Sequence, residues 1–304
     1  DVQALTTHFD RANELEESVR QVVIDWLSVG LDPKQSSFCL QTRIPELYEL
    51  TTMFSFLVDM GELEGNPTLK DEIKGHGMSK VNLGFMMYPV SQAADILLFS
   101  PVPPKVGDEL LIPVGEDQRP HVELTRDIAR KFNRQYGDTL IVPEILVGDV
   151  PRLGDLSSGN KKMGKSYGNA IFLSDSVADV QEKVKQGMTD PAKVRKGDSG
   201  NPEICPIFSY HKIFNKGMER EIEAGCKSGA LGCVDCKLKL TTSLNQKLEP
   251  IRAKRTEVEE HPDMVSDAIR EGTARACEAA QITISAVRHA MCVEYPSLGL
   301  HKTG

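Results

Sequence analysis

A short apolar run ends at a glycine in the stretch Ile112-Pro113-Val114-Gly115-Glu116-Asp117-Gln118. An amphipathic pattern follows from about residue 121 to residue 136, with Leu124, Ile128 and Phe132 on one face. Together the two patterns predict a strand, a turn and a helix. Because glycine lets a ligand approach the backbone and a helix N-terminus favours anionic groups, the turn is a candidate ligand site.

Further apolar runs place this strand in a larger sheet. The runs at 36–41, 110–114 and 139–142 alternate with helical patterns, which predicts an α/β fold with a doubly wound, Rossmann-like parallel sheet. Ligands bind at the carboxyl ends of the strands in such sheets. After about residue 174 the patterns are helical. We therefore expect a sheet domain over 1–174 and a C-terminal α-helical domain over 175–304.

A lysine-rich loop follows the glycine-rich stretch at 154–160. Its sequence is Lys161-Lys162-Met163-Gly164-Lys165-Ser166, in which two lysines three residues apart are interleaved with a glycine and a hydroxyl. Such a loop can close on a polyphosphate, which indicates nucleotide chemistry. The same composition is also typical of a solvated surface loop.

Three polar residues interrupt an apolar run between residues 88 and 98. Tyr88, Gln92 and Asp95 are spaced by four and three residues, so they share one face if the run is helical. A buried Asp95 needs a polar partner, which makes it a candidate ligand-binding group. The alternative is that Asp95 caps the helical segment that follows it.

Four of the seven cysteines follow a C-x20-C-x6-C-x2-C pattern. They are Cys205, Cys226, Cys233 and Cys236, and the last two form a C-x-x-C turn that can aim two thiolates at one metal. Disulfides are disfavoured in a cytosolic protein, so a four-sulfur metal site is the preferred interpretation. Zinc and an iron–sulfur cluster both remain open on this chemistry, as do unliganded core cysteines.

Composition excludes several classes of protein. The formal net charge of −8 argues against a generic nucleic-acid or DNA binder, because phosphate contacts need basic surface. Local clusters at Lys193, Arg195 and Lys196 and at 252–255 would have to contact RNA. The sequence shows neither an apolar run of membrane-spanning length nor a signal peptide, so we expect a cytoplasmic protein without membrane contact.

In their order along the chain, these segments resemble those of the bacterial-type tryptophanyl-tRNA synthetases, a class I family. The lysine loop resembles the family's KMSKS loop, residues 115–118 its GEDQ motif, and the run around Asp95 its tryptophan pocket. Further likeness lies at 4–10, 188–191 and 271–275. The tyrosyl-tRNA synthetases are the sister alternative, but the form of residues 121–126 favours the tryptophanyl family.

The resemblance implies a tryptophan–tRNA ligase that binds ATP, Mg²⁺, L-tryptophan and tRNA(Trp) and forms a homodimer. It assigns a catalytic role to Lys162, Lys165 and Ser166. It assigns ATP binding to those three and to Gly115, Glu116, Asp117, Leu153, Met163 and Gly164. Tryptophan binding falls to Tyr88, Gln92, Asp95, Ile112, Val114 and Gln118.

This sequence departs from the family pattern at two points and shares one feature with a subgroup of the family. Gly164 stands where serine is usual, and the family's first strand and HIGH-like ATP motif are expected ahead of Asp1. These departures keep open a catalytically inactive, RNA-binding or regulatory relative. A subgroup of the family holds a 4Fe-4S cluster on a similar cysteine pattern with a slightly longer first interval, which implies a cluster at the four cysteines, with Zn²⁺ as the alternative.

Overall fold

The computed structural model describes residues 1–75, 77–148, 153–159, 163 and 170–298. These residues form a mostly helical structure with one small sheet. The helices are α1 Leu5–His8, α2 Leu15–Ser28, α3 Pro45–Ser55, α4 Met60–Gly65, α5 Pro67–Gly75, α6 Leu83–Leu97, α7 Arg119–Tyr136, α8 Val177–Gln186, α9 Pro206–Phe214, α10 Glu219–Ser228, α11 Cys233–Glu260 and α12 Pro262–Ala290. The strands are β1 Leu111–Val114 and β2 Glu144–Val147.

The predicted strand, turn and helix are confirmed. Strand β1 leads through a short 3-10 turn, Glu116–Gln118, into helix α7. The helix ends before Gly137, whose φ of 96° lies in the left-handed region that favours glycine. Ile128 and Phe132 are fully buried on the apolar face of α7.

The doubly wound sheet is not found among the described residues, where the sheet consists of one parallel pair. Leu111 pairs with Glu144 and Val114 with Val147. The apolar run at 139–142 precedes β2, so the predicted strand position is wrong. The amide of Asn133 explains the shift, because its Oδ1 accepts from the backbone N–H groups of Thr139 and Leu140 at 3.1 and 2.9 Å.

The expected strand at 36–41 is also wrong, although the segment packs against a helix. The backbone N–H of Leu40 donates to Thr273 Oγ1 at 3.3 Å. Gly272 lies so close to Phe38 that a Cβ there would be 2.4 Å from the Phe38 carbonyl oxygen. Residues 36–41 therefore contact α12 instead of pairing with another strand.

The chain divides into two compact units. The first unit comprises Asp1–Val23, Asp32–Gly148 and Asp263–Gly304, and the second comprises Ile24–Leu31 and Asp149–Pro262. The regular elements described after residue 174 are all helices. The boundary differs from the expected division after residue 174, because α12 belongs with the first unit.

Each unit has its own apolar core. In the first unit α12 contributes Ala280, Ile284 and Val287 to a core built around Phe54 and Phe132, whose rings meet edge to face at 6.3 Å. Aromatic pairs of this kind stabilise a core by about 0.5–1.5 kcal/mol beyond the area they bury. The second core joins residues of α8, α9, α10 and α11, including Val180, Val184, Ile207, Ile222, Leu240 and Leu244.

Within the described ranges, no helix is both long enough and apolar enough to span a membrane.

Candidate active site

Helix α6 carries the three polar residues that the sequence singled out. Asn82 caps its N-terminus, since Asn82 Oδ1 accepts the backbone N–H of Phe85 at 2.8 Å. Tyr88, Gln92 and Asp95 then lie on one face at helical spacing, and all three are partly buried. Asp95 lies near the end of α6, so the alternative in which it caps a following helical segment is wrong.

Two glutamine amides hold the Asp95 carboxylate. Gln41 Nε2 lies 3.0 and 2.8 Å from its two oxygens, and Gln3 Nε2 lies 2.8 Å from Oδ2. Burial raises the pKa of Asp95, and the hydrogen bonds from Gln41 and Gln3 oppose that rise. Both partners are neutral donors, so they stabilise the carboxylate without cancelling its charge.

Gln92 connects α6 with the turn after β1. Its Nε2 donates to Gln118 Oε1 at 3.2 Å. Ile112 and Val114 share one partly buried face of β1, as alternation along a strand requires. The structure thus brings Gln92 and Gln118 together and places all six predicted tryptophan-binding residues in the first unit, on α6, β1 and the 3-10 turn.

The hydroxyl of Tyr88 has two partners. It lies 2.7 Å from Glu72 Oε2 and 2.9 Å from His121 Nε2. The ring of Tyr88 meets those of Phe85 and His121 edge to face, at 5.4 and 5.3 Å. Burial, followed by the hydrogen bond to Glu72, raises the pKa of Tyr88, so the phenol keeps its proton at neutral pH.

The predicted nucleotide turn is tight. Gly115 precedes the 3-10 turn, and a Cβ at this position would lie 2.8 Å from Asp117 Oδ1. Glu116 is exposed and pairs with Arg119 at 2.5 Å, and this hydrogen bond lowers the pKa of Glu116. The backbone carbonyl of Asp117 accepts from Thr68 Oγ1 at 3.2 Å, and Asp117 is exposed.

Only part of the predicted lysine loop falls within the described residues. Lys162, Gly164, Lys165 and Ser166 lie outside them. Leu153 and Met163 pack against the core of the second unit. The hydroxyl of Tyr210 lies 3.0 Å from Met163 Sδ and 3.1 Å from the carbonyl of Gly154, and burial raises the pKa of Tyr210 to about 12.

The four predicted metal-binding cysteines lie in one region of the second unit. Cys205 caps α9, Cys226 lies in the last turn of α10, and Cys233 and Cys236 occupy the first turn of α11. Burial, followed by the nearby thiols of the other three cysteines, raises the pKa of Cys236 to about 12. Within the described part of the chain, no group of three His, Cys, Asp or Glu side chains is arranged to hold a metal ion.

Nearby polar groups act on the pKa values of two of these cysteines. Backbone N–H groups of Phe208, Ile207 and Asp190 oppose the rise that burial produces in the pKa of Cys205. The positive charge of Lys193 likewise opposes the rise that burial produces in the pKa of Cys226. The buried Lys193 ammonium lies 3.2 Å from the Cys226 carbonyl.

His211 is fully buried beside Cys236, with Nε2 3.3 Å from the sulfur and 3.2 Å from the Cys236 carbonyl. Its Nδ1 lies 2.7 Å from Asn215 Nδ2, and Asn215 Oδ1 in turn accepts from Ser243. An amide nitrogen can only donate, so Nδ1 accepts and the ring proton is on Nε2, facing Cys236.

The two basic clusters that were expected to contact RNA make most of their contacts within the protein. Lys193 is buried, Arg252 donates to the carbonyl of Asp175 at 2.7 Å, and Arg255 pairs with Asp25 and Glu259. Lys196 and Lys254 remain accessible, with surface partners at 3.5 and 2.7 Å.

Sequence reasoning missed four residues of the first unit: Gln3, Gln41, Glu72 and His121. Gln41 ends the apolar run at 36–41, and a polar residue at the carboxyl end of a presumed strand was a usable signal. The other three belong to separate elements, and no local pattern connects them with α6.

Comparison with known proteins places the chain among enzymes of known activity. The family model for class I tRNA synthetases (W and Y) matches residues 1–249. The chain is 41% identical to a tryptophan–tRNA ligase of Thermotoga maritima and 42% identical to one of Streptococcus pyogenes. The first alignment covers 96% of this chain and 87% of the relative, and the second covers 97% and 87%.

A solved structure gives the same result. The tryptophanyl-tRNA synthetase of Campylobacter jejuni, complexed with ADP and tryptophan, superposes with a TM-score of 0.75 at 29% identity, covering 96% of this chain and 87% of that one. The family model and this structural likeness thus place the chain among the class I aminoacyl-tRNA synthetases. Within that class, the chain belongs to the bacterial-type tryptophanyl-tRNA synthetase family, as its sequence resemblance implied.

Proposed function

We propose that this protein is a tryptophan–tRNA ligase, which activates L-tryptophan with ATP to tryptophanyl-adenylate and transfers it to tRNA(Trp). The observation that carries the proposal is the Asp95 carboxylate, held on α6 by Gln41 and Gln3. A carboxylate can only accept hydrogen bonds, and the indole ring of tryptophan offers one donor, its N–H.

The tryptophan pocket follows from this pairing. Asp95 accepts the indole N–H, Gln92 contacts the ring, and Ile112 and Val114 supply apolar walls. Tyr88 and Gln118 bind the amino group. An amino acid without a donor leaves this partly buried carboxylate without a hydrogen bond, which costs binding free energy. Phenylalanine is therefore rejected without an editing step.

The ATP side of the reaction needs charge neutralisation more than covalent chemistry. The tryptophan carboxylate attacks the α-phosphate of ATP, and pyrophosphate leaves with growing negative charge. Lys162, Lys165 and Ser166 bind the departing phosphates, where a bound Mg²⁺ would supply further positive charge. Gly115, Glu116, Asp117, Leu153, Met163 and Gly164 hold the rest of the nucleotide.

Amino-acid-dependent exchange of pyrophosphate into ATP tests the activity. The assay uses the complete gene product. We expect exchange with tryptophan and none with tyrosine, followed by charging of tRNA(Trp). Exchange that requires tyrosine would reverse the family assignment, and absence of exchange with both amino acids would support the inactive, RNA-binding alternative.

The second part of the proposal concerns the cysteines. Cys205, Cys226, Cys233 and Cys236 hold a 4Fe-4S cluster in the second unit. Support comes from the electrostatic interaction among the four thiols and from the Lys193 ammonium, which lies 3.2 Å from the Cys226 carbonyl. Hydrogen bonds and positive charge favour thiolate ligands and tune such clusters.

We prefer a cubane to a single zinc ion, as the resemblance of the cysteine pattern implies. The thiols of the other three cysteines contribute to the raised pKa of Cys236, but the described residues contain no group of three His, Cys, Asp or Glu side chains arranged to hold a metal ion. A cubane accepts sulfurs that lie farther apart, because each iron at its corners takes one thiolate. When bound, the cluster supplies four metal–sulfur bonds that fix α9, α10 and α11.

Anaerobic purification with metal analysis tests this part. We expect brown protein with about four irons per chain, the content of one cubane. A colourless preparation with stoichiometric zinc would favour the alternative metal, and a protein free of both would leave the cysteines as core residues. We also propose a homodimer, which light scattering at several concentrations checks.

A further inference from the structure

The environment of Tyr88 determines which hydrogen bonds its hydroxyl can make. A phenol has one proton, and its two neighbours are Glu72 Oε2 at 2.7 Å and His121 Nε2 at 2.9 Å. A carboxylate is only an acceptor, so the Tyr88 proton is donated to Glu72. His121 must then donate through Nε2, and the Tyr88 oxygen accepts.

The state of His121 agrees with this assignment. Its side chain is 1% exposed, and its buried Nδ1 has no hydrogen-bond partner. A proton on Nδ1 would be a buried donor without an acceptor, which is costly. Burial lowers the pKa of His121, against the opposing charges of Glu72 and Asp117, so the ring is neutral with its proton on Nε2.

We infer that Glu72 is a positioning residue that makes Tyr88 an obligate hydrogen-bond acceptor and thereby selects amino acids with a free α-ammonium group. This inference rests on the proposed role of Tyr88 in binding the amino group of tryptophan. With its proton committed to Glu72, the Tyr88 oxygen offers only lone-pair density to a ligand. An ammonium group, which only donates, is the matching partner.

The packing of the Tyr88 ring fixes the direction of the hydrogen bonds made by its hydroxyl. Phe85 and His121 contact the Tyr88 ring edge to face, with interplanar angles of 71° and 64°. Glu72 lies on α5 and His121 on α7, so two separate helices fix the hydroxyl of a residue on α6. The Glu72 carboxylate also adds negative potential behind the acceptor, which favours a cation.

The substitution Glu72→Gln changes the hydrogen-bonding capacity of the side chain and keeps its size. The amide has the size of the carboxylate, but its Nε2 can donate to the Tyr88 oxygen and release the phenol proton toward the ligand. We expect KM for tryptophan in pyrophosphate exchange to rise about tenfold, with kcat within about twofold, which indicates loss of ground-state binding. Inhibition by indole-3-propionate, which lacks the ammonium, should change less than about twofold.

Two controls sharpen the experiment. Asp71→Asn removes a neighbouring charge from the exposed surface of α5 and should leave both constants unchanged. In a Tyr88→Phe background, Glu72→Gln should add no further effect, because the phenol through which it acts is absent.

The outcomes distinguish the inference from the proposed pocket. A rise in KM that persists in the Tyr88→Phe background, or an equal loss of indole-3-propionate binding, would make Glu72 a merely structural residue and overturn the inference. If Tyr88→Phe alone leaves tryptophan KM unchanged while exchange proceeds, the assignment of Tyr88 to the amino group fails first, and the role of Glu72 fails with it.

Discussion

Gln41 Nε2 lies within hydrogen-bonding distance of both carboxylate oxygens of Asp95, at 3.0 and 2.8 Å. The pair connects the 3-10 turn before α3, Gln41–Arg43, with α6 and fixes the carboxylate in one orientation. Since Gln41 is uncharged, its amide stabilises the Asp95 carboxylate by hydrogen bonding without placing a positive charge beside it.

Removal of the carboxylate should therefore affect selectivity more than stability. Asp95→Ala should lower kcat/KM for tryptophan by about a hundredfold or more and reduce its advantage over phenylalanine, because the indole N–H loses its acceptor. Pyrophosphate exchange with both amino acids measures the effect. Unchanged selectivity with a large drop in melting temperature would show that Asp95 serves only the fold.

Gln41→Leu should change the pH dependence of tryptophan use. Burial raises the pKa of Asp95 and the hydrogen bond from Gln41 is the first effect that opposes it, so loss of that bond raises the pKa further. The ionised carboxylate is the acceptor, and tryptophan binding is lost as pH falls through this pKa. We expect the acid limb of the kcat/KM profile to move to higher pH. An unmoved limb would exclude Asp95 as the group that titrates there.

Stability should also depend on pH through His121. Burial lowers its folded-state pKa below the ordinary value of 6.5, so the unfolded chain binds more protons than the folded one below about that pH. The stabilisation is present above 6.5 and is lost as pH falls through the folded-state pKa. His121→Gln should flatten the fall in melting temperature over this window.

The lysine loop gives a kinetic prediction. Lys162→Ala and Lys165→Ala should each lower the rate of adenylate formation strongly and leave tryptophan affinity nearly unchanged, because the pyrophosphate charge develops only toward the transition state. Single-turnover measurements separate the two quantities. An equal loss of tryptophan binding would assign the loop a structural role.

The sequence predicted those features that depend on neighbouring residues. Strand β1 and helix α7 follow from local periodicity, and the polar face of α6 follows from spacing alone. The partners of Asp95 could not be predicted in this way, because Gln41 and Gln3 lie 54 and 92 residues away along the chain. The run at 139–142 was misassigned because a side chain, Asn133, takes the backbone N–H groups that a strand ladder would use.

The expected domain boundary differs from the observed units for a similar reason. Helical periodicity after residue 174 was correct, but periodicity carries no information about which core a helix joins. Gly272, where a side chain would collide with Phe38, allows α12 to pack closely on the 36–41 segment of the first unit. A single glycine in a long helix gives no sign of its distant partner.

The cysteine site gives the last prediction. Cys233→Ser should abolish bound iron and increase hydrogen exchange in α9, α10 and the start of α11, because those helix ends carry the four cysteines. Exchange in α6 and α7, in the first unit, should stay at the wild-type level. Cys292→Ser is the matched control, since Cys292 is exposed and outside the cluster. Iron content that survives in the Cys233→Ser protein, with exchange unchanged, would remove Cys233 from the metal site.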